Sequence, residues 1–96
     1  MKEFKGRLAV VTGCGSGIGR ELTRQLAAAG VRVAGCDLMA EALQETVDLV
    51  KREFPHARVT GHSCDVGMEG DIAKFREDVA SSHDAECVHL LFNNAA

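Results

Sequence analysis

The chain has 96 residues, 46% hydrophobic and 26% charged, which suits one small globular domain and excludes disorder, collagen and low-complexity repeats. Eleven Lys/Arg against fourteen Asp/Glu leave a net charge of −3 with no basic cluster, a poor match to nucleic acid or an anionic membrane. A chain this short buries only about 60–68% of its unfolded surface, so a many-stranded enzyme does not fit and a piece of a larger fold is expected.

Met1 to Arg7 is polar and charged with no apolar h-region behind it, and no stretch approaches the length of a membrane span. Cys14, Cys36, Cys64 and Cys87 are spaced 22, 28 and 23 apart, with no Cys-x-x-Cys and no His pair at zinc-ligand spacing. Reduced thiols in a cytoplasmic protein are expected, and no metal site.

The elements alternate. Leu8 to Thr12 is an apolar run suited to a strand buried on both faces. Ile18, Leu22 and Leu26 recur at i, i+4 and i+8 as one helical stripe, and Gly30 is placed to cap its end. Val31 to Cys36 reads as strand two, ending at Asp37. Leu43, Val47, Val50 and Phe54 mark a second helix that Pro55 stops. Arg58 to Cys64 reads as strand three, weakened by Gly61 and His62. Ile72, Phe75 and Val79 mark a third helix, starting near Gly70 or Asp71. Val88 to Phe92 reads as strand four and closes in Asn93-Asn94-Ala95-Ala96.

The sum, βαβαβαβ, predicts an α/β partial Rossmann fold. Four parallel strands stand in order 3-2-1-4, with helices one and two on one face and helix three on the other. Cys36 and Cys64 each precede an acid that ends a strand, so neighbouring strands would bring them together as free thiols.

The strongest chemical signal is Thr12-Gly13-Cys14-Gly15-Ser16-Gly17-Ile18-Gly19, between strand one and helix one. Glycines permit a tight turn and let backbone N–H groups approach an anion, and the helix start supplies unpaired donors and a positive dipole end. The loop does not match G-x-G-x-x-G, because Ile18 or Arg20 falls where the last glycine belongs. It matches G-x-x-x-G-x-G at Gly13, Gly17 and Gly19, and no Gly-Lys-Ser/Thr follows to make a Walker loop.

Asp37 stands 18 residues past Gly19, where an acid accepts hydrogen bonds from adenosine ribose hydroxyls and repels a 2′-phosphate. Ser16 and Leu38 offer that phosphate no cation, which favours NAD over NADP. Asp37 could also cap helix two, and the two roles can coexist. Asp65 ends strand three at the same edge. It could meet the adenine amino group while Val66 packs on the ring, or it could be a turn aspartate.

Thr12-Gly13-x-x-x-Gly17-x-Gly19, Asp37, Asp65-Val66 and Asn93-Asn94-Ala95 together resemble the short-chain dehydrogenase/reductase family over essentially the whole chain. The resemblance implies that the glycine loop, with Ser16 and Ile18 in it, holds the pyrophosphate. It also implies that Asp37 selects NAD and that Asp65 and Val66 meet adenine. The Asn-Asn-Ala segment would line the cofactor and steady the sheet, with Asn93 and Ala95 beside the cofactor and Asn94 structural. Ala96 stands where that motif has its final glycine.

The family's chemistry needs a Tyr acid/base, a Lys four residues later, a Ser and a helix Asn, and this chain contains no tyrosine. The catalytic groups are therefore expected beyond Ala96. The chain, residues 1–96, reads as the nucleotide-binding half of a short-chain oxidoreductase, with no catalytic residue of its own. A full-length form is expected to be homo-oligomeric. The isolated chain is expected to self-associate through the open, apolar edge of strand four.

Two alternatives stand beside this reading. An S-adenosylmethionine methyltransferase loop fits Gly13-x-Gly15-x-Gly17, but it usually has an acid two residues ahead, where Val11 stands here. A truncated, noncatalytic nucleotide-binding or association module is the other.

Overall fold

The run Leu8 to Thr12 is apolar at nearly every position because both of its faces are covered. In the computed structural model, which describes residues 6–15, 17–65, 68–83 and 90–93, β1 (Leu8–Thr12) is buried along its whole length. It is followed by α1 (Gly17–Ala28), β2 (Arg32–Asp37), α2 (Ala40–Glu53), β3 (Val59–Ser63), α3 (Glu69–His83) and β4 (Leu90–Asn93). The strands form one parallel sheet in the order β3-β2-β1-β4, as the alternation of elements predicts.

The period of two along the strands sorts the side chains into two cores. Ala9, Val11 and Val33 face α1 and α2, where Leu26, Ala27, Leu43, Val47 and Val50 meet them. Leu8, Val10, Ala34 and Cys36 face the other way, onto Phe75 and Val79 of α3. Helices one and two therefore share a face and helix three takes the opposite one. Cys36 and Cys64 belong to the second core, and the Cys36 thiol donates to the Cys64 carbonyl at 3.6 Å. Burial, followed by the neighbouring Cys64 thiol, pushes the Cys36 thiol up to about 12. Cys14, Cys36 and Cys64 are free and buried, and Cys87 lies outside the described residues.

Element ends differ from the sequence expectation by a residue or two, for local reasons. Val31 belongs to the cap of α1 rather than to β2. Its N–H donates to Leu26 O at 3.0 Å and Gly30 N–H to Ala27 O at 3.0 Å, a Schellman closure with Gly30 at φ +82°. Phe54 N–H closes α2 on Val50 O at 2.8 Å, just ahead of Pro55. α3 starts at Glu69, one residue before Gly70, with Asp71 in its first turn. Positions 88 and 89, expected in strand four, lie outside the described residues.

β3 holds despite Gly61 and His62, and both residues have packing reasons to be there. Leu43 and Val47 lie over Gly61, so closely that a Cβ would stand 3.1 Å from each. His62 sits on the Phe75 ring at 5.3 Å between centroids and shares a 2.8 Å hydrogen bond with Thr60 Oγ1.

The same hydroxyl meets His83 Nε2 at 2.7 Å, and His83 is only 1% exposed. Burial, then the nearby Arg32 and Arg58 guanidinium groups and His62, pushes His83 down to about 4. Burial also lowers His62, against the pull of Asp78. Both folded values lie below the unfolded one of about 6.5, so the fold favours the neutral rings and the unfolded chain binds the extra protons. Their contribution is complete above about pH 6.5 and is lost as the pH falls toward 4. For His83 the loss approaches about 3 kcal/mol at roughly 1.36 kcal/mol per pH unit. Urea unfolding of the full-length protein from pH 7.5 to 4.5 is expected to show this slope, and His83→Gln is expected to flatten it above pH 5. An equal slope in the variant would remove His83 as its source.

Candidate dinucleotide site

The parallel sheet sends its carboxyl ends to one edge, and the chain crosses from one side of β1 to the other between β3 and β4. Ligands of open α/β sheets bind in the crevice at such a reversal. Thr12 ends β1 there, in register with Cys36 on β2 and Asn93 on β4. Thr12 Oγ1 also reaches the Phe92 carbonyl at 3.5 Å.

The glycine loop joins β1 to α1 across this edge. Gly13 and Gly17 have φ of +66° and +57°, a region that L side chains rarely adopt. Cys14 N–H donates to Cys36 O at 3.1 Å, so the loop leaves the sheet still tied to β2. The Cys14 side chain turns inward over Gly35, where a Cβ would lie 2.3 Å from Cys14 Sγ. That burial, then the Asp37 carboxylate, raises the Cys14 thiol to about 12, against the pull of Arg20. Cys14 is therefore packing, not chemistry.

α1 begins at Gly17, and its first turn carries no acidic residue. α2 has Glu41 in its first turn and α3 has Glu69 and Asp71, the usual complement to a positive helix end. Among the described residues α1 is the helix whose first turn brings no carboxylate of its own, an arrangement that suits an outside anion. Ile18 is 75% exposed beside it, while Gly19 is buried and its carbonyl accepts from Thr23 Oγ1 at 2.8 Å.

Asp37 closes the second side of the site. Its Oδ2 accepts the Gly15 N–H at 2.9 Å and its Oδ1 the Met39 N–H at 2.8 Å. The second bond is an Asx turn two residues on, ahead of the α2 N-cap at Met39, so Asp37 shapes the entry to α2 without being its cap. Leu38 and Met39 follow, each 65% exposed. Asp65 is half-buried. Its carbonyl accepts from Met68 N–H at 2.9 Å, and its N–H donates to Asp71 Oδ2 at 3.1 Å, across to the first turn of α3.

Gly13, Gly17, Ile18, Gly19, Asp37 and Asp65 thus gather at the carboxyl edge, with Asn93 ending β4 on the other side of Thr12. Ser16, Val66 and Ala95 lie outside the described residues, as does Asn94. Sequence reasoning met Gly15 and Arg20 only as pattern positions and assigned neither a role in the site. It passed over Met39, an apolar neighbour of Leu38 at the sheet edge. Among the described residues no cluster of three or more His, Cys, Asp or Glu could hold a metal ion. Nor is any helix among them long and apolar enough to cross a membrane.

A family model described as short chain dehydrogenase matches residues 7–96. The chain belongs to the short-chain dehydrogenase/reductase family. That membership sets aside the methyltransferase alternative.

The human (3R)-3-hydroxyacyl-CoA dehydrogenase is 39% identical over 89 residues, covering 88% of this chain and 30% of that protein. A short-chain dehydrogenase/reductase from Burkholderia phymatum, solved in complex with NAD, superposes with a TM-score of 0.84 at 33% identity, covering 95% of this chain and 31% of that one. A metagenomic short-chain oxidoreductase in complex with NADP gives a TM-score of 0.84 at 30% identity, covering 97% of this chain and 40% of that one. The chain therefore spans about a third of the length of these relatives.

Proposed function

We propose that this chain is the cofactor-binding part of a short-chain oxidoreductase and that its cofactor is NAD. The observation that carries the reading is the start of α1. A positive-φ glycine loop opens a helix whose first turn has no acid, with a carboxylate stationed across the loop at Asp37.

A dinucleotide pyrophosphate fits the N-terminal N–H groups and dipole of α1. Asp37 offers its oxygens to the adenosine ribose hydroxyls, and its charge opposes a 2′-phosphate. The exposed Leu38 and Met39 give an adenine ring an apolar flank, Asp65 stands at the same edge of the sheet, and the likeness to the family assigns Val66 to the ring as well. The likeness to the family assigns Asn93 and Ala95 to the nicotinamide side of the cofactor. The relatives solved with NAD and with NADP support a nicotinamide cofactor of either kind, and Asp37 favours the unphosphorylated one.

When bound, the nicotinamide supplies hydride transfer to or from an alcohol or carbonyl carbon. This chain's residues bind and orient the cofactor. In the family this chain is similar to, the accompanying proton comes from a tyrosine, a residue type this sequence does not contain. Leu91, 68% exposed on the α3 face of β4, is an apolar side chain that further sheet and helix would cover. Buried free thiols suit a reducing, cytoplasmic compartment.

The test is calorimetric titration of the full-length protein with NAD and with NADP. Saturable binding with NAD the tighter is expected. No heat from either dinucleotide, or tighter binding of NADP, would refute the reading.

A further inference from the structure

Gly15 is held from both sides. Its N–H donates to Asp37 Oδ2 at 2.9 Å, and its carbonyl accepts from Arg20 Nη2 at 2.6 Å. The same Nη2 donates to the Ala42 carbonyl at 3.2 Å, and Arg20 Nε donates to Thr46 Oγ1 at 2.8 Å. One guanidinium thus joins the glycine loop, the first turn of α1 and the first two turns of α2.

A cation here stands beside the positive ends of two helices. Among the described residues its ion-pair partner is Glu45, at 3.4 Å and 72% exposed, which contributes little. The hydrogen bonds to loop and helix are therefore what hold Arg20 in place. They act where there is no slack: a Cβ at Gly15 would stand 2.8 Å from Asp37 Oδ2 and 3.1 Å from the Ala42 Cβ.

We propose that Arg20 is a positioning residue for cofactor discrimination. By holding the Gly15 carbonyl against α2 it fixes the Gly15 N–H, and that N–H fixes the Asp37 carboxylate in the orientation that reads the ribose. The proposal rests on the reading of Asp37 as the ribose acid. A lysine keeps the charge but lacks the planar fork that reaches loop and helix together.

Three full-length variants, Arg20→Lys, Arg20→Met and Thr46→Val, are compared with the parent. The first readout is the ratio of NAD to NADP dissociation constants. The second, without cofactor, is amide hydrogen exchange at Gly15. Both Arg20 variants are expected to lose about 5- to 10-fold of the NAD preference and to exchange Gly15 about tenfold faster, the scale of one ordinary hydrogen bond. Thr46→Val removes one acceptor without touching α1. It is expected to move both readouts the same way by about 2- to 3-fold, and it decides the matter if the Arg20 variants do not fold.

An unchanged ratio with both dinucleotides equally weakened would reduce Arg20 to a structural role. A parental ratio in Arg20→Lys would assign the effect to charge alone. Either result overturns the proposal, as does unchanged exchange at Gly15. If the parent binds neither dinucleotide, the functional reading fails by itself. Faster Gly15 exchange would then still support Arg20 as the residue that holds the loop.

Discussion

Gly35→Ala in the full-length protein is expected to cost about 1–3 kcal/mol of unfolding free energy, the usual range for overfilling a packed core. The new Cβ would fall 2.3 Å from Cys14 Sγ and 3.3 Å from Cys14 Cβ. Cys14 has nowhere to go, because it is 1% exposed and its N–H is bonded to Cys36 O at 3.1 Å. Moving it drags the glycine loop off the sheet, so NAD binding is expected to weaken along with stability. Cys14→Ala alone removes the buried sulfur and costs roughly 1 kcal/mol for the space it leaves. The double variant puts the Gly35→Ala methyl group into that space. Urea unfolding of the four proteins is expected to give a favourable coupling within the ~0.5–3 kcal/mol seen for residues in contact. Additive losses would show that Cys14 is not what the new methyl group meets.

The residues that sequence reading found and those it missed differ in what makes them recognisable. β1 is legible because a strand covered on both faces has no polar position to interrupt it, and Leu8 to Val11 are all buried apolar residues. Asp37 is legible because the role proposed for it depends on its place at the end of a strand, a fixed distance after a glycine loop. Gly30 is legible because only the left-handed region closes a helix that way. Arg20 is not, since its partners Ala42 and Thr46 lie 22 and 26 residues away and meet it only when α1 packs on α2. His83 shows no local signal either: it is the last residue of α3, and its half-buried partner Thr60 is 23 residues earlier. Gly61 and His62 read as breaks in a strand because intrinsic β-propensity scores each residue without its neighbours. Leu43 and Val47 over the one and Phe75 against the other make both of them fit.

Asp37→Asn and Asp37→Ala are expected to part the charge of this residue from its hydrogen bonds. The carboxylate takes two backbone N–H groups, from Gly15 at 2.9 Å and Met39 at 2.8 Å. Alanine strands both, and Gly15 is buried, so the variant is expected to lose about 1–3 kcal/mol of stability as well as NAD affinity. Asparagine keeps one acceptor oxygen for one of the two donors, so its stability loss is expected to be the smaller. Both variants remove the negative charge. At about 5 Å and an effective dielectric near 20, two like unit charges repel by about 3 kcal/mol. Much of that is screened at an open site, so about 1–2 kcal/mol of discrimination against a 2′-phosphate is expected to disappear in each, roughly a 5- to 30-fold shift of the NAD to NADP ratio. The ratio is the quantity to read, because general weakening of the loop lowers both affinities and cancels from it. Asparagine matching alanine in the ratio but not in stability is the expected result. Should asparagine keep the parental NAD preference while alanine loses it, selection would rest on the shape and hydrogen bonds of this side chain and not on its charge.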